Sequence, residues 1–359
     1  MYKSSSTPHH STQRFLKSCR LFAIFIGASI VTCAAAVKAQ DPHTIVARVG
    51  DQIITYQEID EIVSGQIYSL QQQLFALRRS TLNNLITKKL VEAEASRKKL
   101  SLHELKNKWM SGPVVVDQTQ VNELYQKNRS AFGQMNADEA KEKLRLDLES
   151  QVRLKRYRDE IAVLRQKTNI DVLLEEPRLS VSKNLNPAAV KGPTNARVVI
   201  TEFSDFQCPY CKEVQANVSR VMQVYGDQVR LEFKSLPIEI HPLAFAAAKA
   251  CYCGGEQKAF WQVHDALFAA ADPSQSTIDQ IARDLKLNNE QFENCLSSTE
   301  SQAAVMADVA EARRLGIEGT PTFIVNGKLL RGALSFEEFS AVIEHEIKNA
   351  QIKSSTSQN

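Results

Sequence analysis

Apolar positions recur along the chain with two different periods, and the change of period divides it. Residues 45–54 carry β-prone residues on both sides of Gly50-Asp51 and predict a small hairpin. Thr55 with Glu58 three residues on is a capping box, so a helix should start there. Leu74, Leu77, Leu82, Leu85, Ile86, Leu90 and Val91 keep helical spacing. Pro113 interrupts this pattern. Asp117 offers a cap for a helix through Val121, Leu124 and Tyr125. A longer charged helix is expected from about Ala137 to Gln166, with Leu144, Leu148, Val152 and Ile161 on its apolar face. Ile170, Val172 and Leu174 alternate like a short strand. Residues 176–196, rich in Pro, Asn and Lys, read as an interdomain linker.

After residue 196 the pattern becomes mixed. Val198 to Phe203 is a continuous β-rich run, as in a buried strand. Cys208-Pro209-Tyr210-Cys211 follows and opens a helical pattern through Val214, Val218, Val221 and Met222. Val229–Phe233 reads as a second strand. Helical segments are expected over about Pro242–Phe268, Ile278–Leu296 and Ser301–Leu315. Thr320-Pro321 then leads into a strand at Thr322–Val325. Asn326-Gly327 signals a hairpin turn, Leu329-Leu330 the return strand, and Ser335 with Glu338 caps a final helix.

Composition fits two globular domains: 359 residues, 24% charged and 43% hydrophobic. Residues 1–39 hold five basic residues and no acid, which leaves 39 basic against 41 acidic residues in the remainder. A nucleic-acid partner is not expected of such a chain. Arg14, Lys17 and Arg20 precede an apolar run from Leu21 to Val37, and Val37-Lys38-Ala39 offers a cleavage site. Residues 1–39 are therefore expected to be a signal peptide cleaved near Ala39, and the mature protein to be periplasmic. The competing reading is an uncleaved membrane anchor.

Five of the seven cysteines lie in the second half, at 208, 211, 251, 253 and 295. A C-x-x-C at a strand-to-helix junction puts the first sulfur where unpaired backbone N–H groups and the helix dipole favour a thiolate. Cys211, one turn on, can reach back and close a disulfide. Tyr210 adds no formal charge, so an oxidising but not extreme potential is expected. Thr320-Pro321 is the second marker: a cis proline would leave the backbone of Thr320 free to pair with an extended substrate. Glu202, six residues before Cys208, is either a buried acid that shuttles a proton to or from Cys211 or a solvent-facing strand residue. Zinc on Cys208, Cys211, Cys251 and Cys253 competes with this reading. A C-x-C on a helix points its thiols to different faces, however, and neither metal nor cofactor is expected. Cys295 could pair with Cys253 or with Cys251 in a structural disulfide joining the insertion helices. Phe260, Trp261 and Phe268 read as core of the insertion.

The segments Glu202–Cys211, His241-Pro242, Gly255–Trp261 and Gly319–Phe323 together resemble the DsbA-like branch of the thioredoxin superfamily. The resemblance spans about residues 190–350. It implies an α/β thioredoxin fold with a helical insertion, Cys208 as attacking and Cys211 as resolving thiol, a cis Pro321, and Glu202 as the buried acid. Family members often carry a disulfide at the positions of Cys253 and Cys295; Cys251 is additional here. Residues 46–55 and the helix over 82–94 resemble the helical N-terminal region of SurA-type periplasmic chaperones, although no parvulin isomerase domain follows. The expected organisation is a signal peptide (1–39), a mainly α-helical chaperone or dimerisation module (40–175), a linker (176–196), a DsbA-like domain (197–350) and a polar tail (351–359). The function implied is an exported thiol–disulfide oxidoreductase that forms or isomerises disulfides in client proteins. A periplasmic holdase with a secondary redox site is the alternative. Clients, a membrane redox partner and a second copy of the chain are the expected partners.

Overall fold

The computed structural model describes residues 41–182 and 186–356; the expected signal peptide lies outside them. Strands β1 (Ile45–Val49) and β2 (Gln52–Thr55) form an antiparallel hairpin, with Gly50 turning at φ +61°. Both halves of the Thr55/Glu58 capping box are made at the start of α1 (Tyr56–Ile62). Helix α2 (Ser64–Lys98) runs for 35 residues and ends at Lys99 in the left-handed region. Helices α3 (Leu102–Met110), α4 (Gln118–Lys127, capped by Asp117) and α5 (Ala137–Lys167) follow. Val91 and Ala95 of α2 meet Leu105 and Trp109 of α3, with Tyr157, Ile161 and Leu164 of α5 packed against them. The strand expected at 170–174 does not form. Among the described residues no neighbouring edge takes up its backbone groups, and Val172 and Leu173 stay exposed.

The second half is built on β3 (Val190–Lys191), β4 (Val198–Ser204), β5 (Val229–Ser235), β6 (Thr322–Val325) and β7 (Lys328–Arg331). Their order is β3-β5-β4-β6-β7; β4 and β5 are parallel and the other pairs antiparallel. Helix α6 (Pro209–Tyr225) links β4 to β5. The insertion between β5 and β6 contains α7 (Ala244–Glu256), α8 (Phe260–Ala269), α9 (Gln275–Asp284), α10 (Asn289–Ser297) and α11 (Thr299–Arg314). Helix α12 (Phe336–Thr356) closes the chain. This is a thioredoxin fold with a helical insertion. Because strand side chains alternate, one sheet face sends Val198, Ile200, Val229, Leu231, Phe323 and Val325 under α6 and α12. The other face packs Phe203 and Ile324 against Val309, Ala312 and Leu315 at α11.

Two expected helices are each divided in two. The first breaks at Lys258 (φ 61°), before α8. The second breaks at Lys286 (φ 55°), after which the Asn288 side chain accepts from Gln291 N–H and caps α10. Apolar spacing continues across both breaks, so periodicity alone does not reveal them. The segment expected as a linker is partly built into the sheet. Leu179 is buried and its N–H donates to the Gly327 carbonyl at 2.8 Å, Arg178 pairs with Glu346 at 2.8 Å, and β3 pairs with β5. Helix α2 also docks on this half. Tyr68 is buried in the α11 cluster and its hydroxyl accepts from Leu329 N–H, while Ser64 Oγ donates to the Arg314 carbonyl. Gly65 and Gly316 meet so closely that a Cβ on Gly65 would lie 2.5 Å from Gly316 N.

Candidate redox site

The sulfurs are positioned by the β4–α6 junction. Cys208 is the N-cap residue of α6, in extended conformation, and Pro209 follows at the first helical position, where a missing N–H costs no helical bond. The Lys212 N–H donates to the Cys208 carbonyl, so the first turn is closed. Cys208 is 4% and Cys211 0% exposed, and both are free thiols. The Cys208 thiol donates to the Thr320 carbonyl at 3.6 Å. The Thr320-Pro321 peptide is cis, and Pro321 is buried. The loop before β6 is thereby brought from 112 residues away onto the first sulfur.

Burial pushes the Cys211 thiol well above the ordinary thiol range. The charge of Cys208 adds to this, while the nearby Ser204, Asp205 backbone and Thr320 oppose it. Glu202 is completely buried rather than facing solvent. Its Oε1 accepts from Gln215 Nε2 at 2.8 Å, and its Oε2 has no partner. Burial raises its pKa, opposed by His264, Ser204 and Gln215. Glu202 and Ser204 lie two apart on β4 and so share the sheet face covered by α6.

Asp205, not singled out in the sequence, ties the site together. It is buried; Oδ1 accepts from Gln207 N–H, and Oδ2 accepts from Ile238 N–H and lies 2.9 Å from His241 Nδ1. Its carbonyl accepts from Cys208 N–H. The Gln207 side chain accepts from Leu243 N–H, a second tie to the His241-Pro242 segment. An acid followed two residues on by a glutamine and three on by a cysteine is a signal for such a loop only when its partners at 238–243 are known. Ser204 was legible in principle, because strand alternation puts it on the same face as Glu202.

The other sulfurs are apart from this pair in their bonding. Cys253 of α7 and Cys295 of α10 form a disulfide, which resolves the choice between Cys251 and Cys253. Cys251 is a free, fully buried thiol whose Sγ donates to the Phe260 carbonyl at 3.7 Å, and burial pushes its pKa up. Among the described residues no group of His, Cys, Asp and Glu is arranged to hold a metal ion.

Residues 185–345 match the thioredoxin family model, and residues 11–107 match that of the SurA-like N-terminal domain. The Na(+)/H(+) antiporter NhaA 3 of Salinispora tropica is 33% identical over 166 residues, which are 46% of this chain and 25% of that protein. The chain thus spans about a quarter of the length of the curated relatives it matches. Among the described residues no helix is long and apolar enough to cross a membrane. Among solved structures, a thioredoxin-like oxidoreductase from Silicibacter pomeroyi is 28% identical, with 45% of this chain and 94% of that one covered and a TM-score of 0.42. The thiol-disulfide exchange protein alpha-DsbA2 of Wolbachia pipientis is 20% identical, with 44% and 85% covered and a TM-score of 0.41.

Proposed function

From a chain that carries a DsbA-like thioredoxin domain behind a SurA-like N-terminal domain, we propose an exported thiol–disulfide oxidoreductase that forms or isomerises disulfides in client proteins of the periplasm. The observation that carries this reading is Cys208 at the N-cap of α6, its sulfur against the Thr320 carbonyl, with Cys211 buried one turn behind. In the oxidised protein a client thiolate attacks Cys208 Sγ. The Cys208–Cys211 bond breaks and its electron pair goes to Cys211, which takes up a proton. A second client thiolate then attacks the client sulfur of the mixed disulfide and releases the Cys208 thiolate. A buried thiol with a raised pKa holds a proton strongly, and the neighbouring acid Glu202 supplies it. The Thr320 backbone is placed to pair with an extended client segment. A membrane redox partner resets the pair, and the helical module serves to hold clients or a second copy of the chain.

Cys208→Ala is expected to reduce insulin reduction and client oxidation to background, and retained activity would overturn the reading. Trapping the pair in cells separates the two modes: a mostly oxidised pair marks a donor of disulfides, a mostly reduced one an isomerase. Holdase activity is favoured by one observation. Leu70, Leu74, Leu77 and Leu85 are exposed on α2, with 70, 74 and 77 at one helical spacing. In full-length Cys208→Ala/Cys211→Ala protein, aggregation of a cysteine-free client should still be suppressed, and Leu74→Ser/Leu77→Ser should abolish that effect. Equal suppression with and without the leucines would remove the holdase reading.

A further inference from the structure

Large apolar side chains are rare on the surface of the thioredoxin half. Among the described residues after 186 they are Tyr210, Val224, Ile240 and Met306. Val224 lies at the far end of α6 and Met306 on α11. The other two belong to the redox site. Tyr210 is 62% exposed and stands in the chain between the two cysteines. Ile240 is 79% exposed on the segment that joins β5 to α7. A single exposed isoleucine on an ordinary loop asks for no explanation. This one is held in place.

Residues 236–243 are tied by hydrogen bonds to the residues just before Cys208. The Leu236 N–H donates to the Ser204 carbonyl at 2.8 Å, and the Ile238 N–H to Asp205 Oδ2 at 2.9 Å. His241 Nδ1 lies 2.9 Å from the same oxygen, and the Leu243 N–H donates to Gln207 Oε1 at 2.9 Å. The segment is also closed on itself. The His241 N–H donates to the Ile238 carbonyl, which makes a turn with Glu239 and Ile240 at its centre. The Ala244 N–H then donates to the His241 carbonyl at the start of α7. Asp205 serves both sides of this junction, because its own carbonyl accepts from Cys208 N–H. The turn that carries Ile240 is thus fixed relative to Cys208, and it is ordered before anything binds.

We infer that Ile240 is a specificity-determining residue of the thiol–disulfide reaction: it covers an apolar side chain that flanks the attacking cysteine of an extended client segment. The inference rests on Cys208 and Cys211 being the redox pair. Side chains two residues apart in an extended chain share a face and lie about 7 Å from each other, so the one that reaches Ile240 comes from within about three residues of the client cysteine. Cysteines with apolar neighbours are the ones a folded protein buries, and they are accessible while the chain is still unfolded. Contact with Ile240 therefore favours unfolded clients without demanding one sequence. The turn is built for this by Asp205, Gln207 and His241, which hold the isoleucine outward while leaving its side chain uncovered.

The test is the rate at which otherwise identical dicysteine peptides, with leucine, serine or glutamate beside each cysteine, reduce the Cys208–Cys211 disulfide of the full-length protein. The peptide is oxidised as the protein is reduced, and the thiols are trapped by alkylation. The native chain should react roughly fivefold faster with the leucine peptide than with the serine peptide, as covering part of one isoleucine side chain requires. Ile240→Ser should bring that ratio to about one, and Ile240→Leu should restore it. Ile240→Lys should raise the glutamate-to-serine ratio about threefold at low salt, a gain that a poorly folded chain cannot produce. A leucine preference unchanged in Ile240→Ser, or a glutamate-to-serine ratio unmoved in Ile240→Lys, would overturn the inference and leave the redox assignment standing. Failure of every peptide to reduce the native disulfide would instead overturn the assignment beneath it.

Discussion

Strand β4 and helix α2 sit on opposite sides of a division in how this chain spends its side chains. Six of the seven residues of β4 are buried, and among them are Glu202 and Ser204, groups that prefer water. Helix α2 buries six of 35 residues and leaves Leu70, Leu74, Leu77 and Leu85, groups that avoid water, at the surface. Each arrangement carries a free-energy cost, and each lies where a task needs it. Polar burial changes the proton affinity of a sulfur, while apolar exposure leaves a surface for another chain. The thioredoxin half is thus specified from within, and the helical half by what it has yet to cover.

The comparison can be broken experimentally. The largest effect is expected from removing the Cys253–Cys295 disulfide, which closes a span of 42 residues and should stabilise by about 4 kcal/mol through the unfolded chain's entropy. The two tryptophans report one half each, Trp109 in the helical module and Trp261 in α8. In Cys253→Ala/Cys295→Ala the melting of Trp261 should move far more than that of Trp109; equal shifts would mean that the halves unfold as one. Gly65→Ala comes next, because its Cβ would strike the Gly316 backbone. Such overpacking costs about 1–3 kcal/mol. It should separate the two tryptophan transitions without altering the reactivity of the sulfurs. The smallest change is expected from Glu202→Gln, and its sign is fixed by burial. The native state holds the Glu202 proton to a higher pH than the unfolded chain does, so this group's contribution is present at low pH and is lost as pH rises through its elevated pKa. The variant does not ionise there. Its melting temperature relative to the native protein should rise with pH, and a flat difference would contradict the burial argument.

Much of this was visible in the chain itself. The C-P-Y-C at the end of a β-rich run, the Thr-Pro before a second run and the Asn-Gly turn define local geometry that needs no partner, and β4, α6, β6 and β7 form where those signals lie. The capping boxes at Thr55 and Ser335 were equally local. What escaped depends on contacts distant in sequence. Asp205 matters because Ile238 and His241 come back to it. The break at Lys258 is invisible to apolar periodicity because both flanking helices use the same core. Leu179 and Val190 read as tether until β5 and the β6–β7 hairpin supply their partners.

That last feature changes how the two halves communicate. A floppy tether gives a cargo an effective concentration that varies with its length. Here the chain is pinned along the hairpin by Arg178 and Leu179, and α2 is clamped at Ser64 and Tyr68. Under the proposed function, a polypeptide caught on the leucine stripe meets the sulfurs at a span fixed by a strut, and selection among its cysteines becomes a matter of reach rather than of chance encounter.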